Sequence, residues 1–331
     1  MMLRLTFTIQ PKWESRLAVV ARSRTSARVV AAFAAAAAMT MTACTSSDAG
    51  DTSETSGEAS TRVVEHARGA TEVPASPLRV VTLEPVELDT AVALGVIPVG
   101  TAVLSEATGV PAYLGADAAD ITPIGTVAEP RIESIAALQP DLILGTETRH
   151  AEYYDQLAAI APTVYMASQS DPWQDNVRLV GRTLGLEQEA DALLGEYRDR
   201  CDEIATAHDT AGKTAQLIRP RDEVLTLYGP LSFAGSTLEC AGFTTPPRPE
   251  WADEISVDLS PELVSQASAD LIVVTATNPA DPSAIPASVT DNAAALPDPH
   301  AVDQSFWITG VGPKGGQAVL DDIDRILSQQ N

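Results

Sequence analysis

The stretch EQEADALLGEYRDRCDEIATAHD, residues 187–209, decides how the rest of the chain is read. Ala190, Leu193, Leu194, Tyr197, Cys201, Ile204 and His208 recur at three- and four-residue spacings, which places them on one stripe of a helix. Acidic and basic side chains fill the opposite face. About 22 residues at 1.5 Å each give a rod of roughly 33 Å, the diameter of a small domain. A helix of that length can brace two halves of a molecule.

The segments on either side share one grammar. RIESIAALQPDLILGT (131–146) precedes the rod and SPELVSQASADLIVVT (260–275) follows it. A shift of 129 positions lays Glu133 on Glu262, Ile135 on Val264, Asp141 on Asp270, Leu142 on Leu271 and Ile143 on Ile272. Each copy reads as a short helix with an acid in its first turn, a loop ending at Asp, and a buried strand of parallel-sheet type. The expected fold is α/β: two lobes with mostly parallel sheets, joined by one long helix, with a cleft between them.

The first 43 residues stand apart. Arg16, Arg22, Arg24 and Arg28 precede VVAAFAAAAAMTMTA (29–43), an apolar run suited to a signal h-region and short for a bilayer span. It ends at Cys44 after Met41-Thr42-Ala43, which resembles a bacterial lipobox. Lipid on Cys44 would anchor the chain to the extracytoplasmic face of the cell membrane. Residues 45–61, TSSDAGDTSETSGEAST, hold no large apolar side chain and read as a tether. The expected organisation is leader 1–43, tether 44–61, N-terminal lobe 62–186, linking helix 187–209 and C-terminal lobe 210–331.

Net charge is −24, and loss of the leader, with six Lys/Arg and one Glu, takes it to −29. Such a field excludes nucleic acid and broad docking on anionic lipid, while a cleft can still hold a few arginines. With Cys44 acylated, Cys201 and Cys240 remain as an even pair in an oxidising compartment. They are a candidate disulfide between rod and second lobe, the alternative being two buried thiols.

In the first half, an extended hairpin and a buried strand in TRVVEHARGATEVPASPLRVVTL (61–83) lead into alternating helices and strands as far as residue 167. Sites in such sheets lie at the carboxyl ends of the strands. That selects Glu84, Leu104, Ser105, residues 127–131 and residues 146–150 as a cleft wall.

Here the chain becomes recognisable. RVVTLEPVELDTAVALGVIPVG (79–100), EPRIESIAALQPDLIL (129–144), LAAIAPTVY (157–165), LYGPLSFAGSTL (227–238) and WITGVGPKGGQAVLDDI (307–323) together resemble the iron(III)-siderophore-binding lipoproteins of bacterial ABC importers. Wider relatives bind vitamin B12 and haem. The resemblance implies two Rossmann-like lobes, limited closure, a monomer and no catalysis. It also implies a ferric siderophore as ligand, and as partners a permease and, through it, an ATPase. Glu133 and Glu262 match the two lobe-tip glutamates that dock into arginine pockets of the permease. The arginine of hydroxamate-binding relatives falls at Val127, and Arg149-His150 stand where those relatives place a pocket tyrosine. Trp251 and Trp307 match aromatics that pack on the siderophore, and Thr309 replaces a tyrosine. The expected ligand contacts are therefore Glu84, Ser105, Arg131, Arg149, His150, Arg219, Arg221, Tyr228, Ser232, Trp251 and Trp307, with Arg248 a further candidate.

Other chemistries lack their residues. Gly310, Gly312 and Gly315 spell G-x-G-x-x-G, but only 16 residues follow, too few for a dinucleotide-binding βαβ unit. No G-x-S-x-G, H-E-x-x-H or P-loop spacing occurs. His66, His150, His208 and His300 are scattered, so no intrinsic cofactor or direct metal ligation is expected and iron should arrive chelated. The alternatives are haem or a corrinoid, with His150 facing Tyr153 or Tyr228, and, more distantly, an extracytoplasmic α/β enzyme.

Overall fold

The repeated aspartate explains how both halves are built. In the computed structural model, which describes residues 60–221 and 224–330, the Asp141 carboxylate accepts the backbone N–H groups of Leu78 and Arg79 at 2.8 and 2.9 Å. Strand β3 (Val80–Thr82) starts at the next residue, parallel to the strand that follows Asp141. In the other half Asp270 accepts the N–H and hydroxyl of Thr214 at 2.7 and 2.9 Å, immediately before β8 (Ala215–Arg221). Those hydrogen bonds hold the Asp270 carboxyl below its usual range. Val80 pairs with Leu142, and Ala215 with Leu271. The sequence repeat is thus a repeat of registered strand pairs.

An antiparallel hairpin, β1 (Thr61–His66) and β2 (Gly69–Pro74), comes first. Thr61, assigned by composition to the tether, already belongs to β1. After β3 come α1 (Pro85–Ala93), β4 (Gly100–Val103), β5 (Thr122–Thr126), α2 (Ile132–Ala137) and β6 (Leu142–Thr146). Then follow α3 (Glu147–His150), α4 (Tyr154–Ala158), β7 (Thr163–Met166) and α5 (Trp173–Leu184). Between α3 and α4, residues 151–153 form a 3-10 turn. The five strands β5-β4-β3-β6-β7 are all parallel.

Helix α6 (Glu187–His208) runs unbroken for 22 residues and ends where Asp209 turns left-handed, φ 49°. Its buried face is Ala190, Leu194, Tyr197, Cys201 and Ile204, with Leu193 and His208 half-buried at the edges. Burying Leu194, Tyr197 and Ile204 contributes on the order of 2 kcal/mol each.

The second half continues with β8, β9 (Val224–Tyr228), α7 (Phe233–Cys240), β10 (Ser256–Leu259), β11 (Leu271–Ala276), α8 (Ala287–Thr290), β12 (His300–Asp303), α9 (Gln304–Trp307) and α10 (Pro313–Gln330). Its sheet order, β10-β9-β8-β11-β12, repeats the first sheet's when each is numbered from its own first strand. Strand β9 alone breaks the parallel pattern by running against both neighbours. Two residues separate it from β8, whereas a parallel crossover needs a dozen or more. The second copy of the acid-bearing helix is a 3-10 helix, Pro261–Ala267.

The halves share a core. Val86 of α1 and Met166 of β7 lie in one apolar cluster with Trp173 and Val177 of α5, the buried face of α6, Phe233, Trp307 and α10. Asp324 of α10 binds His208 and Arg200 of α6 at 2.6 and 2.8 Å. A disulfide joins Cys201 to Cys240, tying α6 to the end of α7 across a Cα–Cα distance of 5.4 Å. The leader, Cys44 and residues 45–59 lie outside the described residues.

Candidate functional site

In sheets of this strand order, the crevice opens where the chain reverses its direction of growth, beyond the carboxyl ends of the two central strands. The first sheet has that point between β3 and β6. Glu84, two residues after β3, meets Arg149 from α3 there, Arg149 Nη1 donating to Glu84 Oε2 at 2.9 Å. The Glu84 side chain is 1% exposed and the Arg149 side chain 38%. Burial pushes the Glu84 carboxyl up to about 7, against the opposing charge of Arg149. One turn on, Glu87 is wholly buried, accepts the N–H groups of Leu83 and Glu84 at 2.9 and 3.1 Å, and is held well above the usual carboxylate range by burial and by Glu84.

The second sheet has its reversal point between β8 and β11. At the end of β8, Arg219 Nη1 and Arg221 Nη2 both donate to the Tyr228 hydroxyl, at 3.4 and 3.2 Å. Residues 217, 219 and 221 face the same side as their partners 228, 226 and 224, so both guanidiniums and the phenol gather on one surface. Arg221 is exposed, Arg219 half-buried and Tyr228 buried. Equivalent points of the two halves therefore each present guanidinium groups.

The other predicted contacts divide. Ser105 and Arg131 line a recess of about 540 Å³ beyond β4 and β5, shared with Leu104, Glu106, Ala107, Thr126 and Glu129. Arg131 is paired there with Glu106. Ser232 is a helix cap: its hydroxyl donates to the Gly229 carbonyl at 2.7 Å and accepts the Gly235 N–H at 3.0 Å, so its one proton is already committed and it has none to donate to a ligand oxygen. Trp251 and Trp307 are core residues rather than exposed platforms. Trp251, 9% exposed, lies on the bare backbone of Gly229, where a Cβ would come within 2.4 Å of the ring, and gives its N–H to Pro246. Trp307 is 1% exposed beneath α10 and gives its N–H to Asp322 at 3.0 Å.

His150 is corrected most sharply. It is fully buried, its Nδ1 accepts the Thr146 N–H at 3.1 Å, and its Nε2 donates to the Val127 carbonyl at 2.8 Å. Burial lowers its pKa, and a neutral ring with both nitrogens committed has no lone pair for a haem iron. Val127, at the family's arginine position, is buried apolar core. Among the described residues no three His, Cys, Asp or Glu side chains gather as a metal-binding group. Glu133 and Glu262 are both exposed, each in the first turn of its short helix.

One important side chain escaped sequence reasoning. Asp89 of α1, fully buried, accepts the backbone N–H groups of Lys314 and Gly315 at 2.8 and 2.9 Å and the Tyr113 hydroxyl at 3.0 Å. It caps α10 from the other half of the molecule. The glycine motif at 310–315 thus serves an internal carboxylate: Gly312 has φ 148°, and a Cβ there would strike Asp89 at 2.4 Å. Helix-terminal N–H groups that would suit a pyrophosphate are already filled. Burial, opposed by these hydrogen bonds, raises Asp89 to about 7.

Comparison with known proteins agrees with this architecture. Residues 80–293 match the model of a family described as periplasmic binding protein. The chain belongs to that family. Among relatives of this periplasmic binding protein, "Probable siderophore-binding lipoprotein YfiY" of Bacillus subtilis is 30% identical over 307 residues, 87% of this chain and 94% of its own. "Fe(3+)-citrate-binding protein YfmC" of the same species is 29% identical over 244 residues, 72% of this chain and 76% of its own. The crystal structure of Staphylococcus aureus SirA complexed with staphyloferrin B superposes with a TM-score of 0.67 at 29% identity, covering 81% of this chain and 99% of that one.

Proposed function

We propose that this periplasmic binding protein captures a ferric siderophore of the anionic, carboxylate-bearing type and delivers it to an ABC importer permease that an ATPase drives. The observation that carries the reading is the pair of equivalent strand-end sites, Glu84–Arg149 in one half and Arg219–Arg221–Tyr228 in the other. Guanidinium forks match carboxylate geometry and remain charged at all working pH values. With Trp251 and Trp307 withdrawn into the core, polar contacts outweigh aromatic stacking. The relative named for Fe(3+)-citrate supports the carboxylate-bearing class, and the one named for a siderophore supports siderophore capture.

Ser105 and Arg131, in their recess, serve the periphery of a large chelate. Glu133 and Glu262 dock the filled protein on the permease, and lipid on Cys44 holds the monomer at the outer face of the cell membrane. The working units are a lobe at 62–186, the linking helix at 187–209 and a lobe at 210–331. The protein binds and releases without transforming its cargo.

Equilibrium dialysis with radioiron-labelled ferric citrate, a ferric hydroxamate, a ferric catecholate and haemin tests the reading. Saturable one-to-one retention of ferric citrate, recovered unchanged, is expected. Retention of none of the chelates, or a chemically altered chelate, would overturn it.

A further inference from the structure

An arginine that receives an anionic ligand gains little from being neutralised by its own protein, yet Arg149 is ion-paired with Glu84. The pairing is lopsided. Glu84 Oε2 takes the Arg149 N–H, while Glu84 Oε1 is buried without a hydrogen-bond partner. The Thr146 hydroxyl, at the end of neighbouring β6, lies close enough to act on the carboxyl but makes no hydrogen bond of full geometry. An orphaned carboxylate oxygen in a desolvated setting is costly, and protonation relieves it. Arg149, by contrast, keeps a third of its side chain in solvent and remains reachable.

We propose that Glu84 is a positioning residue for Arg149 that takes up a proton when an anionic ferric chelate binds, so that the guanidinium passes from Glu84 to the ligand. The inference rests on the reading of the site given above. In the exchange one proton moves from solvent to the Glu84 carboxylate, the Arg149 N–H···Oε2 hydrogen bond breaks, and one to a ligand oxygen forms. The titratable groups beside Glu84 are Arg149 from α3 and Glu87 of α1. Burial holds the Glu87 carboxyl well above the usual carboxylate range, where it accepts two backbone N–H groups, and His150, beside Arg149, has both ring nitrogens bound. The Glu84–Arg149 pair therefore carries no net charge while Glu84 is ionised and one positive charge once it is protonated.

With the carboxyl titrating at about 7, the receptive fraction falls from roughly nine-tenths at pH 6 to one-tenth at pH 8, about a tenfold loss of apparent affinity. Calorimetric titration of the folded protein with ferric citrate at both pH values, each in two buffers of different ionisation enthalpy, reads affinity and proton uptake together. The wild type is expected to bind about tenfold more weakly at pH 8 and to take up close to one proton there. Glu84→Gln should bind with nearly equal affinity at both pH values and without that proton. Ferric citrate has a pH dependence of its own, so the decisive quantity is the wild-type ratio divided by the variant's. Should Glu84→Gln not fold, as judged by near-ultraviolet circular dichroism, Arg149→Ala reads the same linkage, and weak binding with a pH ratio near one is expected. Wild type and variants sharing one pH ratio and one proton count would overturn the inference alone. Absence of ferric citrate binding at either pH would overturn the assignment of the site, and this inference with it.

Discussion

Replacing Asp89 by alanine strips the α10 N-terminus of its cap and removes one polar link between the two halves. Three donors lose their acceptor: the N–H groups of Lys314 and Gly315 and the hydroxyl of Tyr113. A buried unpaired donor costs about 1–3 kcal/mol, and water entering the vacated space recovers part of that, so the expected loss is roughly 2–5 kcal/mol. For a chain of this size that corresponds to a fall in Tm of roughly 5–15 °C. The pH dependence has a definite sign. Asp89 is raised from 3.8 to about 7 in the folded state, so its stabilising contribution is fully present below the unfolded pKa and drains away as pH rises towards the folded one. The loss caused by Asp89→Ala should therefore be larger at pH 5 than at pH 8, by about 2–3 kcal/mol. Glu84 and Glu87 titrate in wild type and variant alike, so their contributions cancel in the difference. Urea unfolding followed by fluorescence and circular dichroism at the two pH values measures it. A loss below about 1 kcal/mol at pH 5 would refute the capping argument, and a loss larger at pH 8 than at pH 5 would refute the upward shift of the Asp89 carboxyl.

Two further expectations follow from other contacts. Converting both Cys201 and Cys240 to serine opens a loop with a sequence separation of 39, which predicts a loss of about 4 kcal/mol in chemical denaturation. An unchanged denaturation midpoint would mean the bond does not form. Replacing Glu133 and Glu262 together by glutamine should leave chelate affinity within about twofold while abolishing iron uptake by cells, because exposed charges set docking and not cleft chemistry. Uptake at the wild-type rate would remove both acids from the docking surface.

Local pattern carried the fold a long way. The stripe on α6 and the doubled Glu…Asp-Leu-Ile grammar were enough to place two α/β halves about a rod, because both features are short-range. Helix α5 carries Trp173, Val177, Val180 and Leu184 buried at helical spacing, yet it lies outside the repeat. Reversal of β9 follows from its two-residue connection to β8, a boundary that the structure supplies. What local pattern could not reveal is which polar groups meet. Glu84 and Arg149 are 65 positions apart, and Asp89 and Lys314 are 225. Nothing in their neighbourhoods marks one as a counter-ion and the other as a cap. The tryptophans failed in the opposite sense: Trp251 and Trp307 have the residue type of a ligand platform, but Gly229 and α10 draw them inward, and burial is set by tertiary packing.

Anomalous diffraction at the iron edge, from crystals grown with ferric citrate, tests the central claim most directly. A single iron is expected between the two reversal points, with the guanidinium of Arg149 and that of Arg219 or Arg221 hydrogen-bonded to oxygens of the same chelate. Iron confined to one half, or lying in the Arg131 recess without contact to Arg149, would contradict it.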